Sequence, residues 1–96
     1  EVKHCIESHR GSTDIQPKTT IAKIIANADA MAHFDILPVF FYWRSKKQTF
    51  DEAFKWVDTK IDRDWNTKLT LPEAREMMEE KYKAIRLLLN STKEYM

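Results

Sequence analysis

Thr20-Ile-Ala-Lys-Ile-Ile-Ala-Asn-Ala-Asp29-Ala-Met-Ala-His33-Phe-Asp35 is the stretch on which the reading of this chain turns. Its apolar residues Ile21, Ile24, Ile25, Ala28, Met31 and Ala32 recur at three- and four-residue steps, the period of one helical face. The spacing predicts a helix that lays this face against a core. Asp29 lies four residues after Ile25 and next to Ala28, so its carboxylate is expected at the edge of the apolar face. An ionised carboxylate there needs a cation, a metal or several donors, because burying it unpaired costs far more than a surface contact returns. His33 follows at i+4, within reach on the same helix, and an Asp29–His33 pair at the margin of the core is the local expectation.

On the N-terminal side, Val2 to about Arg10 reads as the end of a helix, with Val2, Cys5, Ile6 and His9 on adjoining positions of one face. Gly11 stands where a C-cap is needed, and Gly11 to Lys18 is a polar loop with Pro17. Thr19 or Thr20 can cap the central helix. On the C-terminal side, Asp35 is the expected N-cap of a segment whose first turn tolerates Pro38. Val39-Phe40-Phe41-Tyr42-Trp43 is apolar on nearly every face, so it must be wrapped by other helices or covered by something else. Arg44, Lys46 and Lys47 complement the negative end of that helix.

Thr49-Phe50-Asp51-Glu52 has the form of a capping box, and the helix it opens carries Phe50, Ala53, Phe54, Val57, Ile61 and Trp65 as its apolar stripe. Its charged residues are expected on a solvated face, and Trp56 falls outside the stripe. After a short connection over Asn66 to Leu69, Thr70-Leu71-Pro72-Glu73 repeats the capping-box pattern. The last helix then runs to about Tyr95 through Leu71, Ala74, Met78, Tyr82, Ile85, Leu88 and Leu89.

Composition bounds the rest. The 96 residues suit one domain with a modest core, and 43% hydrophobic with 32% charged residues is a globular profile. One glycine and three prolines leave little for the tight turns of a β protein, so the expected fold is all-α, a single helical domain of about four to five helices. Sixteen basic against fifteen acidic residues give a net charge of +1, with no global field to recruit nucleic acid or an anionic membrane. The longest apolar run, Ile36 to Trp43, is eight residues and too short to span a bilayer. A single cysteine cannot form an internal disulfide, which agrees with a reducing, cytoplasmic location. One glycine cannot build the phosphate loops of Walker or dinucleotide type. Cys5 with His9 lacks the third group of a nucleophilic site and the further ligands of a zinc site.

The run Cys5-Ile6-Glu7-Ser8-His9-Arg10-Gly11-Ser12, followed by a loop and then Ile24-Ile25-Ala26-Asn27-Ala28-Asp29-Ala30-Met31-Ala32-His33-Phe34-Asp35, resembles the later half of the HD domain. That superfamily consists of helical, metal-dependent phosphohydrolases, in which a helix ending near a His precedes a loop and a helix carrying Ala-Asp-x-Leu/Met. The resemblance covers about the first forty residues and implies Asp29 as a metal ligand, with His9 and Arg10 facing a small phosphorylated substrate. The implied cofactor is a divalent ion: manganese, iron, nickel, cobalt, zinc or magnesium. The family's name-giving His-Asp dipeptide, which supplies further ligands, does not occur in this sequence. The expectation is therefore the C-terminal portion of such an enzyme, with no catalytic residue of its own. The alternative is a non-enzymatic helical module that self-associates through the aromatic surface of Val39 to Trp43, Trp56 and the last helix.

Overall fold

Hydroxyl caps fix where two of the helices begin. The computed structural model describes residues 1–9 and 15–96, so the proposed Gly11 cap and Arg10 lie outside the described residues. The helices are α1 (Val2–Ser8), α2 (Thr20–Asp35), α3 (Leu37–Ser45), α4 (Phe50–Arg63) and α5 (Pro72–Lys93), and the described residues contain no strand. The fold is all-α. Thr19 caps α2, its Oγ1 accepting the Ala22 N–H at 3.1 Å. Thr49 and Glu52 form the reciprocal capping box of α4.

The other two expected caps are not made. α2 runs through Asp35, which pairs with Lys81 of α5 instead of capping α3. Ile36 is the hinge residue, and α2 and α3 meet there at 73°, with Pro38 in the first turn of α3. Leu71 is the N-cap residue of α5 without a side-chain bond, because the Thr70 hydroxyl accepts from the Asn27 side chain.

The buried face of α2 also differs from expectation. Ala22, Ala26, Asn27, Ala30 and Phe34 point inward, while Ile21 and Ile24 are more than half exposed and Ala28 and Ala32 are also on the outside. Asn27 supplies the reason. Its Oδ1 accepts the Leu71 N–H at 3.0 Å, and its Nδ2 donates to the Lys23 carbonyl and the Thr70 hydroxyl, so it ties α2 to the start of α5. A buried amide needs such partners, and these exist on only one side of the helix. Alanines on that side allow the neighbouring backbones to come close. The core joins Ala30, Phe34 and Leu37 to Val57, Ile61, Leu69, Ala74 and Met78. Of the stripe expected on α4, Phe50 is exposed although the Phe41 ring of α3 stacks on it, and on α5 Leu88 is exposed; both border an open groove.

α4 does not stop at a loop. It continues into a π-helical turn, Asp64–Lys68, closed by the Leu69 N–H donating to the Asp64 carbonyl at 2.9 Å. Arg75 fixes the exit of this turn by donating to the Leu69 carbonyl at 2.7 Å and to that of Trp65, with its guanidinium over the Trp65 ring. Among the described residues no single helix is long and apolar enough to cross a membrane.

Candidate functional site: a cationic cleft between α2, α3 and α4

Asp29 and His33 lie on the same helix face, and their expected pair is present, with the His33 Nε2 at 3.3 Å from Asp29 Oδ1. The second partner of Asp29 comes from far along the chain. Lys68, buried at the end of the π-helical turn, is ion-paired to Asp29 Oδ2. His33 reaches a second carboxylate as well, with its Nδ1 at 3.4 Å from Asp64 Oδ2. That same oxygen accepts from Lys60 Nζ at 3.1 Å. A polar chain Lys68–Asp29–His33–Asp64–Lys60 therefore joins α2 to α4 and its π turn. An imidazole donates through one nitrogen when neutral and through both when protonated, so both His33 contacts are hydrogen bonds only in the imidazolium form.

Asp64 is fully buried. Burial alone pushes its carboxyl upward, but the hydrogen bond from His33 and the charges of Lys60 and Lys68 outweigh this and hold it below the usual aspartate value. For Lys60 the balance runs the other way. Burial pulls its ammonium down, the Asp64 carboxylate opposes that, and the charges of Arg63 and Lys68 add to the lowering, so its value lies below that of an ordinary lysine. Its Nζ also sits 5.2 Å above the Phe40 ring. Asp64 Oδ1 and Arg63 Nε are buried without a hydrogen-bond partner among the described residues.

Above this chain opens a cleft of about 480 Å³, lined by His9, Asp29, His33, Lys60, Lys68, Arg44, Arg63, Phe40, Trp43 and Trp56. The residues that set its charge are Arg44, Lys60, Arg63 and Lys68, facing only Asp29 and the buried Asp64. Among the described residues neither Arg44 nor Arg63 has a carboxylate partner; Arg44 instead lies 3.8 Å from the centroid of the Trp56 ring. Trp56, expected off the stripe, is thus half-buried as part of the cleft wall. Arg44 and Lys46 serve aromatic neighbours, Trp56 and Tyr42, in addition to lying near the end of α3.

The structure brings His9 and Asp29 to the same cleft. His9 Nδ1 is 2.6 Å from the Ile6 carbonyl, so the ring donates there and is held at the end of α1. His4 and Cys5 do not join it: His4 Nε2 accepts the Lys18 N–H at 2.9 Å, and Cys5 is buried. Among the described residues no group of three or more His, Cys, Asp or Glu side chains is placed to hold a metal ion. Both oxygens of Asp29 face cationic partners, and both nitrogens of His33 face carboxylates. The described residues by themselves do not fit a metal centre.

The sequence assigns Arg44 only to the end of its helix and Lys60 and Arg63 to the solvated face of α4, and it gives no role to Asp64 or Lys68; Lys60 is instead buried, drawn in by Asp64, and one signal for this is there. Lys60, Asp64 and Lys68 follow one another at four-residue steps, the spacing that stacks side chains on one helix face. What the arrangement offers chemically is a partly dry wall of cations with two unneutralised guanidinium groups, next to aromatic surface. No family model matches this chain, and neither a curated protein nor a solved structure shows significant similarity to it.

Proposed function

We propose that the cleft binds the phosphoryl group of a small phosphorylated molecule, and that the chain is the substrate-binding portion of a metal-dependent phosphohydrolase of HD type. The observation that carries the reading is the pair Arg44 and Arg63, which line the cleft without a carboxylate partner among the described residues. A guanidinium offers a planar fork of donors that matches phosphate oxygens, and a group with two negative charges supplies the missing counter-charge. Lys60 adds a third positive group at the floor. In phosphoryl transfer most of the protein's contribution is positioning and charge stabilisation, for which such a wall is suited. The sequence resemblance supports the hydrolytic part of the reading. Asp29 would be the one metal ligand from this chain, and the remaining ligands would come from residues other than those described. No step is assigned to that metal.

The test is calorimetric titration with inorganic phosphate. Binding is expected for the native chain and at least a tenfold weakening for Arg63→Met; phosphate binding that is indifferent to both Arg63→Met and Arg44→Met would sink the site. For the hydrolytic part, bound manganese per chain is measured in the native protein and in Asp29→Asn. Metal that is present in both or absent from both would remove Asp29 from the ligand set.

A second reading has its own observation. Val2, Ile6, Ile21, Ile24 and Ile25 are exposed along α1 and α2, and Phe41, Tyr42, Phe50 and Leu88 border an open groove of about 440 Å³. Apolar surface of this extent is typical of association faces. This reading makes the chain a non-enzymatic interaction module that self-associates. Sedimentation equilibrium would then give a dimer that Ile25→Glu or Tyr42→Glu returns to monomer, and a monomer at all concentrations would rule it out.

A further inference from the structure

Resting on the phosphate-site reading, we propose that Trp43 is a stacking platform that selects phosphate esters of planar aromatic groups, so that the cleft takes an aryl or heteroaryl phosphate in preference to an aliphatic one. The cleft is much larger than its anion. A phosphate group fills the space of a few waters, each about 30 Å³, whereas the cavity measures about 480 Å³. That volume lies in the range that holds whole small molecules, roughly 300–1,000 Å³.

Three aromatic rings, Phe40, Trp43 and Trp56, also line the cleft, and two of them are already in use. The Trp56 face carries the Arg44 guanidinium at 3.8 Å. Phe40 is enclosed, with His33 meeting it edge-on at 5.1 Å, Trp43 edge-on at 5.9 Å, Trp56 at 5.7 Å and the Lys60 ammonium above its ring. Trp43 is different. It is held from one side by Phe40, yet 55% of its surface remains exposed while it lines the cleft. Arg44, the next residue in the chain, lines the same cleft with no carboxylate partner among the described residues, so an exposed indole surface and an unneutralised guanidinium border one cavity. An aliphatic ester leaves that face in water, whereas a flat ring carried by the bound phosphate covers it. Because stacking on an aromatic side chain is tolerant of ring chemistry, the geometry selects for flatness rather than for a particular pattern of hydrogen bonds.

The experiment is isothermal titration of the whole chain, in chelator-containing buffer, with inorganic phosphate, phenyl phosphate and glycerol 3-phosphate. The native protein is expected to hold phenyl phosphate about tenfold tighter than glycerol 3-phosphate, the order of one stacking contact. Trp43→Ala is expected to erase that ratio while leaving the affinity for inorganic phosphate unchanged, and Trp43→Phe, which keeps a ring, to retain most of it. Equal binding of the two esters by the native chain, or a ratio that survives Trp43→Ala, overturns the platform and leaves the phosphate site standing. Failure of all three probes to bind the native chain overturns both together.

Discussion

Two clusters of charged residues join the helices of this protein, and they are built from the same residue types to different ends. Between α4 and α5, Arg86 is ion-paired to Asp58, donates to Asp62 Oδ1 at 3.1 Å and reaches Asn90 Oδ1 at 2.9 Å. Lys93 lies 3.0 Å from the other Asp58 oxygen, and the Tyr82 hydroxyl donates to Asp62 at 2.8 Å. Cations and carboxylates balance there. Burial pushes the Asp58 carboxyl up, but Arg86 and Lys93 outweigh it and hold the group below the usual aspartate value. In the cleft, Arg44, Lys60, Arg63 and Lys68 face Asp29 and Asp64 alone, and Asp64 Oδ1 is left without a bond among the described residues. A balanced cluster is a strap between helices. An unbalanced one beside a cavity has capacity left for a ligand.

The largest effect that separates the two is expected from Asp64→Asn. Removing the carboxylate leaves the buried Lys60 without its anion, the situation in which breaking a buried pair destabilises by about 3–5 kcal/mol. Arg86→Met should weaken folding by about 1–2 kcal/mol, since its partners are partly exposed and water replaces some of what is lost. Urea denaturation of both variants gives the ranking. A larger loss for Arg86→Met would mean that the strap, and not the cleft network, holds the helices together.

Alkaline pH should move the two regions in opposite directions. Lys60 has a folded value below the ordinary one, so the unfolded chain holds more protons just below the usual lysine value of about 10.4, and its contribution to stability rises with pH in that window. Tyr82 is the reverse. Burial and the hydrogen bond to Asp62 raise its phenol, so its contribution is complete below the ordinary value of about 10 and is lost as pH climbs through the raised one. Stability followed from pH 8 upward should therefore lose its rising component in Lys60→Met and its falling component in Tyr82→Phe. Identical profiles for the two variants would erase the distinction.

Much of the fold was legible because its signals are local. The Thr49–Glu52 capping box, the Thr19 cap and the α4 positions Ala53, Phe54, Val57 and Ile61 depend on residues a turn apart. The side of α2 that is buried was not legible. Periodicity favours the isoleucines, but a buried Asn27 with partners just before α5, at Thr70 and Leu71, turns the alanines inward, and those partners are more than forty residues away. The Thr70 cap failed for the same reason, as its hydroxyl had a distant competitor. In the site, the Asp29–His33 pair was visible as an i, i+4 spacing. Lys68 as the second partner is not, because local spacing shows Asn66 to Leu69 only as a short connection, whereas Asp64–Lys68 forms a π-helical turn that aims Lys68 at Asp29.

The smallest effect is the most discriminating about lysine–aspartate pairs as such. Lys81 and Asp35 pair across α5 and α2 with about half of each side chain in water, at 48% and 55% exposure. Lys68 and Asp29 make the same chemical pair with the lysine side chain only 5% exposed. An exposed pair contributes about 0–1 kcal/mol and is screened by salt, so Lys81→Ala should lower stability by less than about 1 kcal/mol, and by less still in 1 M sodium chloride. Lys68→Met should show a larger loss that the same salt changes less, because the ammonium is buried and Asp29 is only 30% exposed. The two losses measured at low and high salt thus read burial directly. If they prove equal and equally screened, Lys68 is hydrated in solution, Asp29 is free to exchange its partner, and the cleft is wetter than the packing of the π turn implies.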